Sequence, residues 1–201
     1  MEFHLTYEGI LKGADKNNTR APHKHLVRKS FHPQLRRLWD ITPHLKVMLD
    51  SLPTGPVMVN AGPFRRRREA LPERFSAGQF HFVPFVTKDL ELVCGLDILF
   101  LRPDAPGSVI RSGDLDNRLK TLLDALRIPT QDELGSHEPS ADENPFYCLV
   151  EDDRLISHVS IKTDTLLQPT GGNPADDDSR LVIKVNIRPT NASWGTIDFL
   201  G

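Results

Sequence analysis

The sequence predicts an α/β (α+β) domain built as a small mixed β-sheet flanked by helices, with long loop insertions. The run Glu91–Arg102 is apolar on both faces apart from Asp97, which is typical of a central strand. Leu181–Arg188 alternates apolar and polar residues, so we expect a closing strand that pairs with the strand before it. Leucines at helical spacing between Asp114 and Arg127 predict an amphipathic helix.

The remaining elements follow from the same periodicities. Alternation over Phe3–Tyr7 predicts a half-buried opening strand, and Leu155–Lys162 predicts another strand late in the chain. A helix is expected over Pro33–Leu49, with a break or kink at Pro43. The polar and basic stretch Lys12–Lys29 is rich in turn-forming residues and predicts a loop.

The chain length is suited to one domain. The 201 residues are enough for a sizeable core. We expect a basic N-terminal part at residues 1–70 and a core at 91–162 that carries the acidic motifs. Two segments, at about 52–90 and 129–149, are expected to be insertions: the first irregular, with Phe80, Phe82 and Val86 indicating a short strand, and the second an acidic loop or lid.

Composition argues against a membrane or secreted protein. Hydrophobic residues make up 38% and charged residues 26%, no run reaches 18 apolar residues, and the N-terminus lacks a basic region followed by an apolar one. Cys94 and Cys148 lack metal-binding spacing, so both are expected to be buried thiols. These features predict a cytoplasmic protein with no organic cofactor.

Charge is distributed unevenly along the chain. Residues 1–70 carry 13 Lys+Arg and 6 Asp+Glu, a balance of +7, whereas residues 71–201 carry 12 and 21, a balance of −9. The asymmetry indicates a polyanion partner for the basic part, although an uneven solvated surface explains it equally well. The Arg65–Arg68 run either grips a phosphate backbone or fronts a flexible loop. With His23 and His25 assisting, the predicted DNA contacts of this part are Lys12, Lys16, Arg20, Lys24, Arg28, Lys29, Arg65, Arg66, Arg67 and Arg68.

The start of the leucine-patterned helix carries the candidate site. Asp114 and Asp116 stand two apart, and Lys120 follows one helical turn later, an arrangement that suits a divalent cation and a phosphate. Alternatively, Asp114 only caps the helix and Asp116 pairs with Lys120, which contributes roughly 0.3–0.5 kcal/mol. A second acidic group at Glu151–Asp153 favours the metal site, and Asp97 is either a further carboxylate there or solvent-facing.

Three motifs together resemble a known family. D-L-D-N-R-L-K, then L-L-D-A-L, and later D-D at the start of a strand are similar to the RusA-like Holliday junction resolvases, over Glu91–Lys162 with the 129–149 insertion set aside and more loosely over the N-terminal third. The resemblance implies a homodimer that cuts four-way DNA junctions with Mg²⁺, or Mn²⁺ as a possible substitute. The residues it implies are Asp114, Asp116 and Asp153 as ligands, Asp152 as the alternative ligand, Lys120 as a further catalytic residue, and Lys162 as a supporting DNA contact.

These observations predict a Mg²⁺-dependent endonuclease that resolves branched DNA in recombination and repair. Three carboxylates supply only oxygen ligands, which select Mg²⁺ or Mn²⁺ over zinc. Two other functions fit the same features. One is a DNA-binding protein of the same fold that does not cleave, and the other is a metal-dependent nuclease acting on a flap or an RNA duplex.

Overall fold

The computed structural model describes residues 1–13, 21–50, 65–103, 114–168 and 178–190. Its elements alternate between strands and helices, and short 3₁₀ turns precede β4 and β6. In chain order they are β1 (Glu2–Ile10), α1 (Ala21–Ile41), α2 (Pro43–Val47), α3 (Arg67–Arg74), β2 (Ser76–Ala77), β3 (Phe80–Val86), a 3₁₀ turn (Lys88–Leu90), β4 (Leu92–Arg102), α4 (Asp114–Leu126), α5 (Gln131–Leu134), β5 (Phe146–Val150), a 3₁₀ turn (Asp153–Leu155), β6 (Ile156–Thr165) and β7 (Asp178–Pro189).

The strands form two mixed sheets, which confirms the predicted α+β class. The first sheet has the order β1-β7-β4-β6, and the second has the order β2-β3-β5. Strand β4 is parallel to β6 and antiparallel to β7, so it is an inner strand as predicted. The sequence predicts one sheet, whereas the structure has a second, smaller sheet beside the first.

The position of β7 differs from the prediction. It lies between β1 and β4, antiparallel to both, and does not pair with β6. Its alternating apolar residues are almost completely buried, as suits an inner strand, whereas β6 is a half-exposed edge strand. The first and last strands of the chain therefore pair with each other, which sequence order alone does not specify.

One face of the first sheet is covered by helices and the other is polar. Leu96, Ile98 and Ile183 lie in the main core, against which α1 and α4 pack. Asp97 and Lys162 lie exposed on the opposite face, so the prediction of a solvent-facing Asp97 is confirmed. Within the described ranges, no helix is long and apolar enough to cross a membrane.

Helix α1 corrects the prediction for the N-terminal third. It runs from Ala21 to Ile41, so the predicted loop is wrong over residues 21–29, and the expected start at Pro33 lies inside the helix. Pro43 begins the separate short helix α2. The first turns of α1 were missed because charged residues occupy their buried face, and no hydrophobic pattern is visible there.

The two predicted insertions contain core elements. Residues 65–90 include α3 and β3, residues 129–149 include α5 and most of β5, and β3 pairs with β5 in parallel. Every residue of β5 is buried, and Phe80, Phe82 and Phe146 form a second small core. The short strand indicated by Phe80, Phe82 and Val86 is confirmed as β3. The expectation that the rest of these segments is irregular or a lid is wrong for their described parts, because they contribute a parallel strand pair and a second core.

Candidate functional site

Helix α4 is fixed to the first sheet by its leucine face. Leu115 and Leu119 line a small void under the helix together with Ile98, Phe100 and Ile161. Further along, the side chains of Leu122, Ala125 and Leu126 are buried. The amphipathic helix predicted from the sequence is confirmed, and its opposite face is held in a fixed orientation toward solvent.

Asp116 and Lys120 lie on that solvent-facing side, one turn apart. Both residues are exposed, and neither side chain makes a hydrogen bond or ion pair to the described part of the chain. The alternative in which they form a surface ion pair is therefore not realised. Asp114 is the first residue of α4, and its side chain lies outside the described part of the structure.

The second acidic motif forms a turn before β6. Asp152 accepts hydrogen bonds from Arg154 through the backbone N (3.0 Å), Nε (2.9 Å) and Nη2 (2.7 Å), and these bonds hold the pKa of its carboxyl well below the ordinary value. Asp153 is exposed beside it. Since both Asp152 oxygens are taken by Arg154, Asp153 is the freer ligand of the two.

The sheet register separates this turn from the start of α4. The turn leads into Ile156, which pairs with Cys94 near the beginning of β4, whereas Leu115 lies with Ile98 and Phe100 toward its end. Those strand positions are about 13–20 Å apart at the usual rise per residue. The turn does contact α4, but within the described side chains Asp116, Asp152 and Asp153 are not a group of three ligand atoms within 4.8 Å.

Three of the basic residues predicted to bind DNA are buried instead. Lys24 Nζ lies 2.6 Å from Asp124 Oδ2, and Arg28 Nη2 donates to the Asp124 backbone oxygen at 2.8 Å. Arg67 has no exposed side-chain surface and donates to both Asp89 oxygens, at 2.9 and 2.8 Å. The prediction that Lys24, Arg28 and Arg67 contact DNA is wrong, because all three side chains are buried and each lies against an acidic residue of the protein.

The other basic residues divide into paired and solvent-facing groups. Lys29 pairs with Glu143 at 2.7 Å, Arg65 with Glu73 at 2.7 Å, and Arg68 with Asp40 at 2.6 Å. A DNA role for these three, and for the exposed Lys12, Arg66 and Lys162, stays a prediction. Lys16 and Arg20 lie outside the described residues.

The network that buries these cations was missed by sequence analysis. Arg127 Nη2 contacts Asp124 Oδ1 and Glu133 Oε1, both at 3.0 Å, and Lys24 reaches Glu133 at 3.5 Å. It joins α1 to α4 and α5, which lie about a hundred residues later in the sequence. Lys24 and Arg28 are four residues apart, and Asp124 lies near the end of a helix far along the chain. No local sequence pattern indicates that these residues pair.

A histidine-containing cluster was also missed. His25, assigned from the sequence only as an assistant to DNA contacts, is buried next to His137 and Glu143. Burial, together with the nearby charge of Arg28, lowers the pKa of His25 to about 4. His25 is therefore neutral near pH 7.

This shift predicts a pH dependence of stability. An unfolded histidine titrates near about pH 6.5, whereas folded His25 titrates near 4. Between these values the unfolded state binds the proton, so the free energy of unfolding falls as pH drops from about 6.5 to about 4, by at most about 1.4 kcal/mol per pH unit. Urea midpoints across this range, in buffer with EDTA, measure the slope.

The matched variants for this prediction are His25→Leu and His158→Leu. Replacing His25 should make the free energy of unfolding depend less steeply on pH. Any slope that remains is expected from the buried His32, whose pKa is also lowered by burial. His158→Leu makes the same substitution at an exposed histidine and controls for the change of side chain. An unaltered slope in the His25 variant would rule out His25 as its source.

Comparison of the chain with protein-family models, with curated proteins and with solved structures found no match. The resemblance to RusA-like resolvases therefore depends on the motif residues alone.

Proposed function

We propose that the protein is a Mg²⁺-dependent endonuclease that cuts branched DNA, with the start of α4 as its active centre. The observation that carries the proposal is the exposure of Asp116 and Lys120, one turn apart and without internal partners in the described residues, on a helix anchored by its other face. A carboxylate and an ammonium held in this way are available to a metal ion and a phosphate.

The donor chemistry fits the proposed ion. Asp114 and Asp116 supply carboxylate oxygens, the ligand type that Mg²⁺ prefers. When bound, the ion supplies Lewis acidity toward the scissile phosphate and lowers the pKa of an attacking water. Lys120 neutralises a non-bridging phosphate oxygen as charge develops, and the N-terminus of α4 adds a favourable dipole for that anion.

Asp153 is the proposed third ligand. Its turn contacts α4, and its carboxylate is exposed, whereas Asp152 is held by Arg154. The strand register holds this turn about 13–20 Å from the strand positions beside Leu115, so a shared ion with Asp116 is not supported by this arrangement, and the ligand role of Asp153 stays a prediction from the motif. Substitution of Asp153 therefore tests a separate part of the proposal.

The choice of branched DNA in recombination and repair, the homodimer and the cytoplasmic location come from the motif resemblance and the composition. The described surface supports a polyanion partner through exposed, basic side chains on α1, α2 and the segment before α3. They are Arg36, Arg37, Lys46 and Arg66. Binding through such side chains is expected to weaken steeply with salt.

The test is cleavage of synthetic substrates by the full chain. A four-way junction, a flap, a linear duplex and an RNA duplex are compared with Mg²⁺, with Mn²⁺ and with EDTA. Symmetric nicks in the junction that need the metal are expected. Faster cleavage of the flap or of RNA would mean that the protein is a nuclease for another nucleic-acid structure. Tight junction binding without cleavage in either metal would indicate a non-catalytic binding protein.

A further inference from the structure

A cluster of three metal-ligating side chains, none of them on α4, forms where three segments meet. His25 comes from the first turns of α1, His137 follows α5, and Glu143 precedes β5. His25 Nε2 is 3.6 Å from Glu143 Oε1, and His137 Nε2 is 3.9 Å from Glu143 Oε2. The two imidazole centroids are 4.5 Å apart.

His25 is the feature of this cluster that needs an explanation. Only 6% of the residue is exposed, and neither ring nitrogen has a hydrogen-bond partner among the described residues. Burying an imidazole with both nitrogens unsatisfied costs free energy, and native proteins rarely leave such groups without a partner. A metal ion bound to Nε2 would satisfy one of them, and neutral His25 has the lone pair that ligation requires.

The other groups are held in place by their neighbours. Glu143 Oε2 accepts hydrogen bonds from Ser140 N at 2.9 Å and Ser140 Oγ at 2.8 Å. The Phe80 ring contacts both imidazoles, at centroid distances of 5.7 Å to His25 and 5.9 Å to His137. Such outer contacts are what orient the ligands of a metal site.

The loop that carries Glu143 is itself anchored by His32. The Tyr147 backbone N–H donates to His32 Nδ1 at 2.9 Å, so Nε2 carries the ring proton and donates to the Asp142 backbone oxygen at 2.9 Å. Both contacts tie the residues flanking Glu143 to α1. The carboxylate therefore has a fixed place relative to His25.

The cluster already attracts one cation. Lys29 Nζ lies 2.7 Å from Glu143 Oε1, and 42% of the lysine side chain is exposed. A metal ion at Glu143 Oε1 has to displace this ammonium, which can turn into solvent from its partly exposed position. The ion pair shows that the Glu143 carboxylate binds a cation.

We propose that His25, His137 and Glu143 form a binding site for a divalent transition-metal ion, with Zn²⁺ the best fit. Zn–N and Zn–O bonds of about 2.0–2.2 Å in a tetrahedron place ligand atoms about 3.3 Å apart. The three ligand atoms lie within 4.8 Å of one another, with 3.6 Å from His25 to one Glu143 oxygen and 3.9 Å from His137 to the other, so the side chains have to close by about 0.3–1.5 Å to reach that geometry. Two imidazoles select zinc over Mg²⁺, which prefers oxygen.

The site has room for a fourth ligand. His25 and His137 line a groove of about 810 Å³ between α1 and the segment that begins at α5. Three protein ligands with the fourth position open to a groove are the arrangement of zinc sites that bind a water or a small ligand. This site is separate from the α4 carboxylates and does not depend on the nuclease proposal.

The test is Zn²⁺ binding by the full chain, prepared without a polyhistidine tag and freed of metal with chelator. Titration calorimetry with ZnCl₂ should show one ion per chain, and CoCl₂ should give the intense visible absorption of a four-coordinate site. At a free Zn²⁺ concentration about 100 times Kd, Tm should rise by about 5–10 °C.

The matched variants are His137→Gln and His158→Gln, since both histidines are exposed. His137→Gln should keep the apo Tm of the wild type and weaken Zn²⁺ binding at least about tenfold. His158→Gln should bind as the wild type does. Absence of saturable binding, equal affinity in the His137 variant, or loss of binding in the His158 variant would overturn the proposal.

Discussion

Asp116→Asn is expected to reduce metal-dependent cleavage of the junction at least about 100-fold. Losing a residue that only holds a metal ligand in place already costs up to about 100-fold, and Asp116 is itself a proposed ligand. The amide keeps the shape of the side chain but loses the negative charge that holds the ion. Because Asp116 is exposed and makes no internal contact in the described residues, Tm should be unchanged. Single-turnover cleavage at saturating enzyme separates this loss from weaker DNA binding.

Two further variants sharpen this result. Asp132→Asn makes the same chemical change at an exposed residue of α5 and should cleave as the wild type does. Asp153→Asn should match Asp116→Asn if the turn before β6 moves in to share the ion. Normal cleavage by Asp153→Asn would leave the ion with the α4 residues alone, and normal cleavage by Asp116→Asn would refute the proposed centre.

Arg67→Met is expected to lower the free energy of unfolding by about 1–3 kcal/mol, because the buried Thr87 hydroxyl loses its partner whereas the Asp89 side chain, 35% exposed, is partly solvated. Arg67 is fully buried, and its guanidinium donates to Thr87 Oγ1 at 2.6 Å as well as to both Asp89 oxygens. Burial opposes ionisation of Asp89, but the bonds from Arg67 and Thr87 outweigh it and lower its pKa. The variant leaves that charge without its main partner.

The neighbouring Arg65→Met is the control for Arg67→Met. Arg65 forms an exposed pair with Glu73, so its loss should not measurably change stability. Urea unfolding at pH 7 gives both values, provided the m-value is constant. A difference under about 1 kcal/mol between Arg67→Met and wild type would contradict the assignment of Arg67 as a structural cation.

Acid should reduce the effect of Arg67→Met. The stability that ionised Asp89 contributes is present above its unfolded pKa, near about 4, and is lost as pH falls toward its lowered folded pKa. The difference in the free energy of unfolding between wild type and Arg67→Met should therefore become smaller below about pH 4. A gap that is constant down to pH 3 would mean that packing rather than charge stabilises Arg67.

The sequence by itself determined the inner strand β4, the leucine face of α4 and the exposure of Asp116 and Lys120. Each depends on a local period of apolar residues, which sets the buried face of an element wherever it packs. The opening strand β1 and the edge strand β6 were found for the same reason.

Only the tertiary structure decided which charges face solvent. Within the run Arg65–Arg68, Arg67 is buried and Arg66 is exposed, and nothing in four identical residues distinguishes them. Lys24 is buried because Asp124 and Glu133 arrive from distant segments to neutralise it. The His25 cluster and the separation of the turn before β6 from the start of α4 have the same cause. Strand register and helix packing bring together, or hold apart, residues whose partners are not encoded nearby.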